Sequence, residues 1–131
     1  MIKLLILQTS RAIMGSLEYN DFSTQADEVM TPNNAKVEMV NVGGQNVMKI
    51  SAKPGWKWST DTKPVVGTES CQAKHVSVIV EGSITCRHDD GSEITYNAGS
   101  AYLIEPGHNA WVNGDTAAVA YEFHGLWYEK G

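Results

Sequence analysis

The stretch that decides the fold is ESCQAKHVSVIVEGSITCRHDDGSEITYNAGSAYLIEPGHNAW, residues 69–111. It holds three of the four histidines and both cysteines, so the chemistry open to this protein concentrates here. Glu69, Cys71, Ala73 and His75 are spaced by two. In an extended chain alternate side chains share a face, which lines up a carboxylate, a thiol and an imidazole. Ideal strand rise sets Cys71 and His75 about 13 Å apart, too far for a direct hydrogen bond. Nucleophilic catalysis by that pair is therefore not expected, and a shared metal needs a bulge or an inward curve of the wall. Asp90-Gly91 lies between the strand-like runs 84–87 and 93–96, an Asp-Gly signal for a tight hairpin with positive φ. Residues 101–104 read as another short strand. Glu105-Pro106-Gly107-His108 then interrupts the ladder and delivers His108 to a turn.

Upstream, 37–42 and 46–50 are two strand-like runs around Gly43-Gly44-Gln45, a hairpin whose turn glycine permits. Trp56 and Trp58 share a face if extended, and either cap the core or wall a ligand cavity. Residues 60–68, with Pro64 and Gly67, read as a loop. Residues 18–34 are polar and turn-rich, a loop region that can wrap onto the body. Downstream, Trp111 and Val112 resume a strand, 113–115 form a turn, 117–123 form a last strand, and His124 ends it. Many short strands, regular turns and no strong 3.6-residue period predict an all-β sandwich or barrel.

One domain is expected from 131 residues, a length that can bury a core without disulfide or metal staples. The boundaries read as 1–34, a leader and loop region; 35–125, the barrel; and 126–131, a tail. A net charge of -5 without a basic stripe argues against nucleic acid as a partner. The apolar run 4–7 is too short for a secretory core or a membrane helix, so a cytoplasmic protein with no membrane partner is expected. The first 17 residues are compatible with an added strand, a short helix or a leader, with Met14 as an alternative start. Cys71 and Cys86 are read as two reduced thiols. No phosphate-binding glycine loop, CxxC pair, HExxH or nucleophile elbow is present.

The central stretch resembles the cupins. Their first motif, G-x5-H-x-H-x3-E-x6-G, counted back from Gly82, sets His75 at the glutamate position, Cys71 at the second histidine and Glu69 at the first. Their second, G-x5-P-x-G-x2-H-x3-N, counted from Gly99, keeps Gly107 but sets Ala110 at the histidine position and Gly114 at the asparagine. His108, two residues before Ala110, faces the same side if extended. The resemblance spans about residues 37–123 and implies a jelly-roll barrel with a metal site inside.

Glu69, Cys71, His75 and His108 are accordingly the candidate metal ligands, a mixed O, S, N set that suits Zn²⁺, and Fe²⁺ or Ni²⁺ less specifically. Trp56, Trp58, Tyr102, Trp111 and His124 are the candidate ligand pocket. Glu81 is expected to be exposed at a strand end and His88 to be solvated at the hairpin tip. Three functions stay open. The first is a barrel that binds a small anionic or polar aromatic molecule, with or without a transition metal and with or without catalysis. The second is a metal-dependent enzyme, by resemblance an oxygenase or isomerase, using the Cys/His/Glu site. The third is a homodimeric structural module, for which the apolar ends 4–7 and 126–128 are the hint.

Overall fold

The computed structural model describes residues 12–124, with side chains over 15–123. Eleven strands run in order among these: β1 Ala12–Met14, β2 Leu17–Tyr19, β3 Glu28–Met30, β4 Ala35–Val42, β5 Gln45–Ala52, β6 His75–Glu81, β7 Ser83–His88, β8 Glu93–Asn97, β9 Ala101–Ile104, β10 His108–Val112 and β11 Ala118–His124. A six-stranded sheet in the order β3-β4-β5-β11-β6-β9 faces a three-stranded sheet in the order β10-β7-β8. All pairings are antiparallel. The result is the expected double-sheet jelly roll.

Two glycine positions set this layout. Gly43 and Gly44 both take positive φ, 58° and 82°, and close the β4–β5 hairpin as a two-residue turn matched to strand twist. Gly82 is the lone residue between β6 in one sheet and β7 in the other, at φ +77°. A Cβ there would overlap the Ala117 carbonyl oxygen and come within 2.8 Å of Ala118 Cα. The sheets can therefore turn this corner only around a residue with no side chain.

The inner faces follow period-2 alternation. Val37, Met48, Ile50 and Ala52 from β4 and β5 meet Ile79, Ala118 and Ala120 from β6 and β11, and Ile84, Cys86, Ala110 and Val112 close the other side. Each large aliphatic side chain so buried contributes about 1.5–3 kcal/mol. The segment 18–34, expected as loop, contains strand: β2 ends in it, β3 is the edge of the large sheet, Asp27 is buried and accepts the Asn41 N–H at 2.6 Å, and the Phe22 and Tyr121 ring centroids are 5.5 Å apart.

Two further local expectations are corrected. Residues 58–66 are a π-helical turn, Trp58–Thr62, followed by one α-helical turn, α1 Lys63–Val66. Pro64 fits because a first-turn residue needs no N–H, and Gly67 ends α1 at φ 87° with its N–H on the Lys63 carbonyl. The Asp90 hairpin forms as expected, but its loop is longer than two residues: Arg87 pairs with Glu93, and of the loop residues only Gly91 takes positive φ. Asp90 instead accepts the Ser92 N–H and hydroxyl, an Asx-type turn. Among the described residues no helix is long and apolar enough to cross a membrane.

Gly82→Ala is expected to destabilise the protein by more than about 2 kcal/mol, by positive φ together with backbone overlap. Gly44→Ala, strained in φ but with open space around its Cβ, should cost about 1 kcal/mol. Urea unfolding midpoints of the two variants give the comparison, and equal losses would remove the corner argument.

Candidate metal centre

Two isolated antiparallel bridges tie β10 to segments that adjoin the large sheet, Lys57 with Trp111 and Cys71 with His108. The Cys71 N–H donates to the His108 carbonyl at 2.7 Å, the His108 N–H returns to the Cys71 carbonyl at 3.2 Å, and the Gly107 N–H joins it at 2.7 Å. Directly opposed residues of an antiparallel pair project to one face, so thiol and imidazole are side by side. His75 opens β6, and residues 71–74 are not a regular strand. Cys71 and His75 are both buried on the inner side, and Cys71 Sγ comes to 3.7 Å from His75 Nε2. The rings of His75 and His108 meet edge-on, centroids 5.0 Å apart at 69°. One donor atom from each of Cys71, His75 and His108 lies within 4.8 Å of the other two, and all three residues are buried.

The far nitrogen of each imidazole is held from behind. His108 Nδ1 is 2.9 Å from the Glu105 carbonyl oxygen. A carbonyl only accepts, so Nδ1 carries a proton and Nε2 is the nitrogen left to face the cluster. His75 Nδ1 is 2.7 Å from Glu122 Oε2, with both side chains almost fully buried. The N–H is not well aligned with that oxygen, so the contact is an ion pair first. Glu122 reaches it from β11, where it stands opposite Ser77 and diagonal to His75 on the inner face.

These contacts fix the charges. Burial alone would lower the His75 pKa, but the Glu122 charge, helped by the Cys71 hydrogen bond, raises it to about 10. Burial alone would raise the Cys71 pKa, and hydrogen bonds from His108 and His75 with their charges override it and hold the thiol at about 6. Cys86 lacks such donors; burial, and then the Cys71 charge, push it up to about 12. In the metal-free state Glu122, His75 and Cys71 form a buried carboxylate–imidazolium–thiolate row. The thiolate is also the form that ligates metal.

Beside the cluster is a cavity of about 40 Å³, walled by Trp56, Trp58, Ile84, Tyr102, Ile104 and Ala110 with Glu122. It has room for a few waters, against about 300–1,000 Å³ for sites that take drug-sized ligands.

No protein-family model and no curated protein sequence matches the chain. Its solved structural likenesses are clear. An RmlC-like cupin from Shewanella frigidimarina superimposes at TM-score 0.51 and 20% identity, over 84% of this chain and 95% of that one. An RmlC-like cupin family protein with a double-stranded β-helix fold, from Methanocaldococcus jannaschii, gives 0.52 and 14%, over 86% and 94%. The chain has the cupin fold. A putative ethanolamine utilization protein Q from Salmonella typhimurium gives 0.58 at 9% identity, over 91% and 94%. At such identities the likeness carries the cupin fold alone, and the site rests on this chain's own residues.

Within that cupin fold, three of the four expected ligands, Cys71, His75 and His108, are brought together and Glu69 is not. The Glu69 side chain is 97% exposed and pairs with Lys63. The alternation does not extend back to it, because Ser70 turns inward and its hydroxyl donates to Asp89. The carboxylate at the site is Glu122, which the sequence reading missed. Its signal was the inward row Ala118, Ala120, Glu122 in the last strand. The expectation that Cys71 and His75 stand too far apart to meet is likewise corrected, since Sγ and Nε2 approach to 3.7 Å.

Trp56, Trp58 and Tyr102 line the cavity. Trp111 does not: it points to the outer face between buried Ala110 and Val112, with the Lys57 ammonium 5.5 Å from its ring. The side chain of His124 and the apolar ends 4–7 and 126–128 lie outside the described residues. Glu81 is exposed, and both cysteines are free. His88 is less solvated than expected. Its Nδ1 accepts the Asp90 N–H and its Nε2 meets the Pro106 carbonyl, tying the hairpin tip to the turn that carries His108.

In metal-free protein, thiolate absorbance at 240 nm should rise by one equivalent around pH 6 and by a second only near pH 12. Glu122→Gln should move the first step to higher pH, because the lost carboxylate lets His75 shed the positive charge that favours the thiolate. A first step unmoved in Glu122→Gln, or still present in Cys71→Ser, would contradict these assignments.

Proposed function

We propose that this cupin-fold chain holds a divalent transition metal on Cys71, His75 and His108. The observation that carries the reading is the convergence of three buried donors, two of them imidazoles backed by an acceptor at the far nitrogen. That is the support metal-bound histidines ordinarily have. One sulfur and two nitrogens favour Zn²⁺, with Fe²⁺ or Ni²⁺ as the other candidates, and disfavour Mg²⁺ and Ca²⁺. Three protein donors leave a coordination position for something from the cavity. A bound metal would supply Lewis acidity and lower the pKa of a water.

The chain's own residues do the rest. Glu122 keeps the proton on His75 Nδ1, the Glu105 carbonyl keeps one on His108 Nδ1, and the aromatic and aliphatic walls exclude bulk water. The cavity size counts against a polar aromatic ligand and for one of a few non-hydrogen atoms. A second reading, supported by the 3.7 Å approach of Cys71 to His75, is a metal-free thiolate–imidazolium pair poised for thiol chemistry.

Elemental analysis of protein purified without added metal separates the two. Near one equivalent of a transition metal is expected, falling below about a tenth in Cys71→Ser, His75→Ala and His108→Ala and retained in Cys86→Ser. Glu122→Gln should weaken metal affinity about 10–100-fold. Wild-type protein with under a tenth of an equivalent, unchanged in His75→Ala, leaves the second reading.

A further inference from the structure

Two tryptophans wall the cavity, and they differ in one respect. Trp56 donates its indole Nε1–H to the Thr62 hydroxyl at 3.2 Å. Trp58, 3% exposed, has an equally buried Nε1–H with no acceptor among the described residues. The position of Trp58 is not loosely held. Lys57 bridges to Trp111 in β10, the Lys57 N–H donates to Asp61, the Ser59 N–H donates to Asn109 Oδ1 at 3.1 Å, and Asn109 Nδ2 returns to the Ser59 hydroxyl at 3.2 Å. Rigid backbone on both sides of Trp58 keeps its indole against the cavity, and a buried donor left unpaired is costly and uncommon.

We infer that the Trp58 indole N–H is a recognition group for the ligand of this cavity, and that the ligand is a small carboxylate of about three or four non-hydrogen atoms, formate in size. The inference rests on the metal reading above and adds the ligand class to it. The metal's open position calls for one donor atom and the indole N–H for one acceptor; a carboxylate offers both on adjacent oxygens. Both imidazoles at the cavity are committed at the nitrogens named here. His75 is held by Glu122 and Cys71, and His108 Nδ1 by the Glu105 carbonyl. A cavity of about 40 Å³ favours the smallest acids over longer ones. No bond is made or broken in this step: it is binding, with Trp58 as a specificity-determining residue.

The test uses full-length protein loaded with Co²⁺, whose visible bands report on a thiolate-containing site, titrated with sodium formate. Formate should perturb those bands and move one indole N–H resonance in ¹H–¹⁵N spectra, the resonance absent from Trp58→Phe. Trp58→Phe should keep its cobalt stoichiometry and bind formate at least about tenfold more weakly, as expected for a lost buried hydrogen bond. Butyrate, too long for the cavity, should leave both signals unchanged. Formate affinity unaltered in Trp58→Phe, or formate that moves no indole resonance, overturns the inference and leaves the metal reading standing. Failure of Co²⁺ to give thiolate-linked bands overturns both. If Trp58→Phe does not fold, the wild-type resonance, assigned through its contacts to neighbouring protons, decides alone.

Discussion

Three backbone hydrogen bonds between Cys71, Gly107 and His108 join the approach to β6 with the start of β10, and so close the six-stranded sheet onto the three-stranded one. The rest of the interior follows from that closure. It forces Cys71 and His108 onto one face, fixes the mouth of the fold on that side, and lets His75 complete the cluster from the opposite wall. The same turn is buttressed from outside by His88 on the Pro106 carbonyl and by Ser70 on Asp89. Both reach the hairpin tip 88–91, so the loop that looked like a solvated end of β7 and β8 serves as a strut.

Placing ionisable groups inside such a core runs against stability. A buried ion pair sheds the hydration of both partners, and its mutual attraction returns that cost only with good geometry. Here Glu122 and His75 are both nearly inaccessible, and Cys71 adds a third ionisable group to the row. Apolar residues of similar volume would serve the sandwich at least as well. Strongly perturbed titratable groups gathered at a cavity are a physical reason to look for function there.

Much of the fold was legible because β-structure writes itself in local pattern. Alternating side chains in 35–52, 75–88 and 118–122 mark the inner faces, and Gly43-Gly44 and Asp90-Gly91 mark two hairpins. Gly82 and Gly99 kept the spacing by which the chain resembles cupins. The helical turns at 58–66 were less legible, since nine residues are too few to establish a 3.6-residue period, although Pro64 and Gly67 bracket α1 in the usual sense.

Sequence by itself determined most strands of the barrel, the hairpins at 43–44 and 90–91 and the residue types of a nitrogen- and sulfur-rich site, because each depends on neighbours in the chain. Only the tertiary structure decided membership of that site. Glu69 sits two residues from Cys71 and faces solvent with Lys63, whereas Glu122, 51 positions beyond Cys71 in the chain, sits against His75 through the β6–β11 register. Spacing by two holds only while the backbone stays extended, and it stops being extended around residue 70. Which carboxylate, which tryptophan and how much room meet at the cluster are matters of strand pairing and side-chain reach across the barrel, and neither is written in local periodicity.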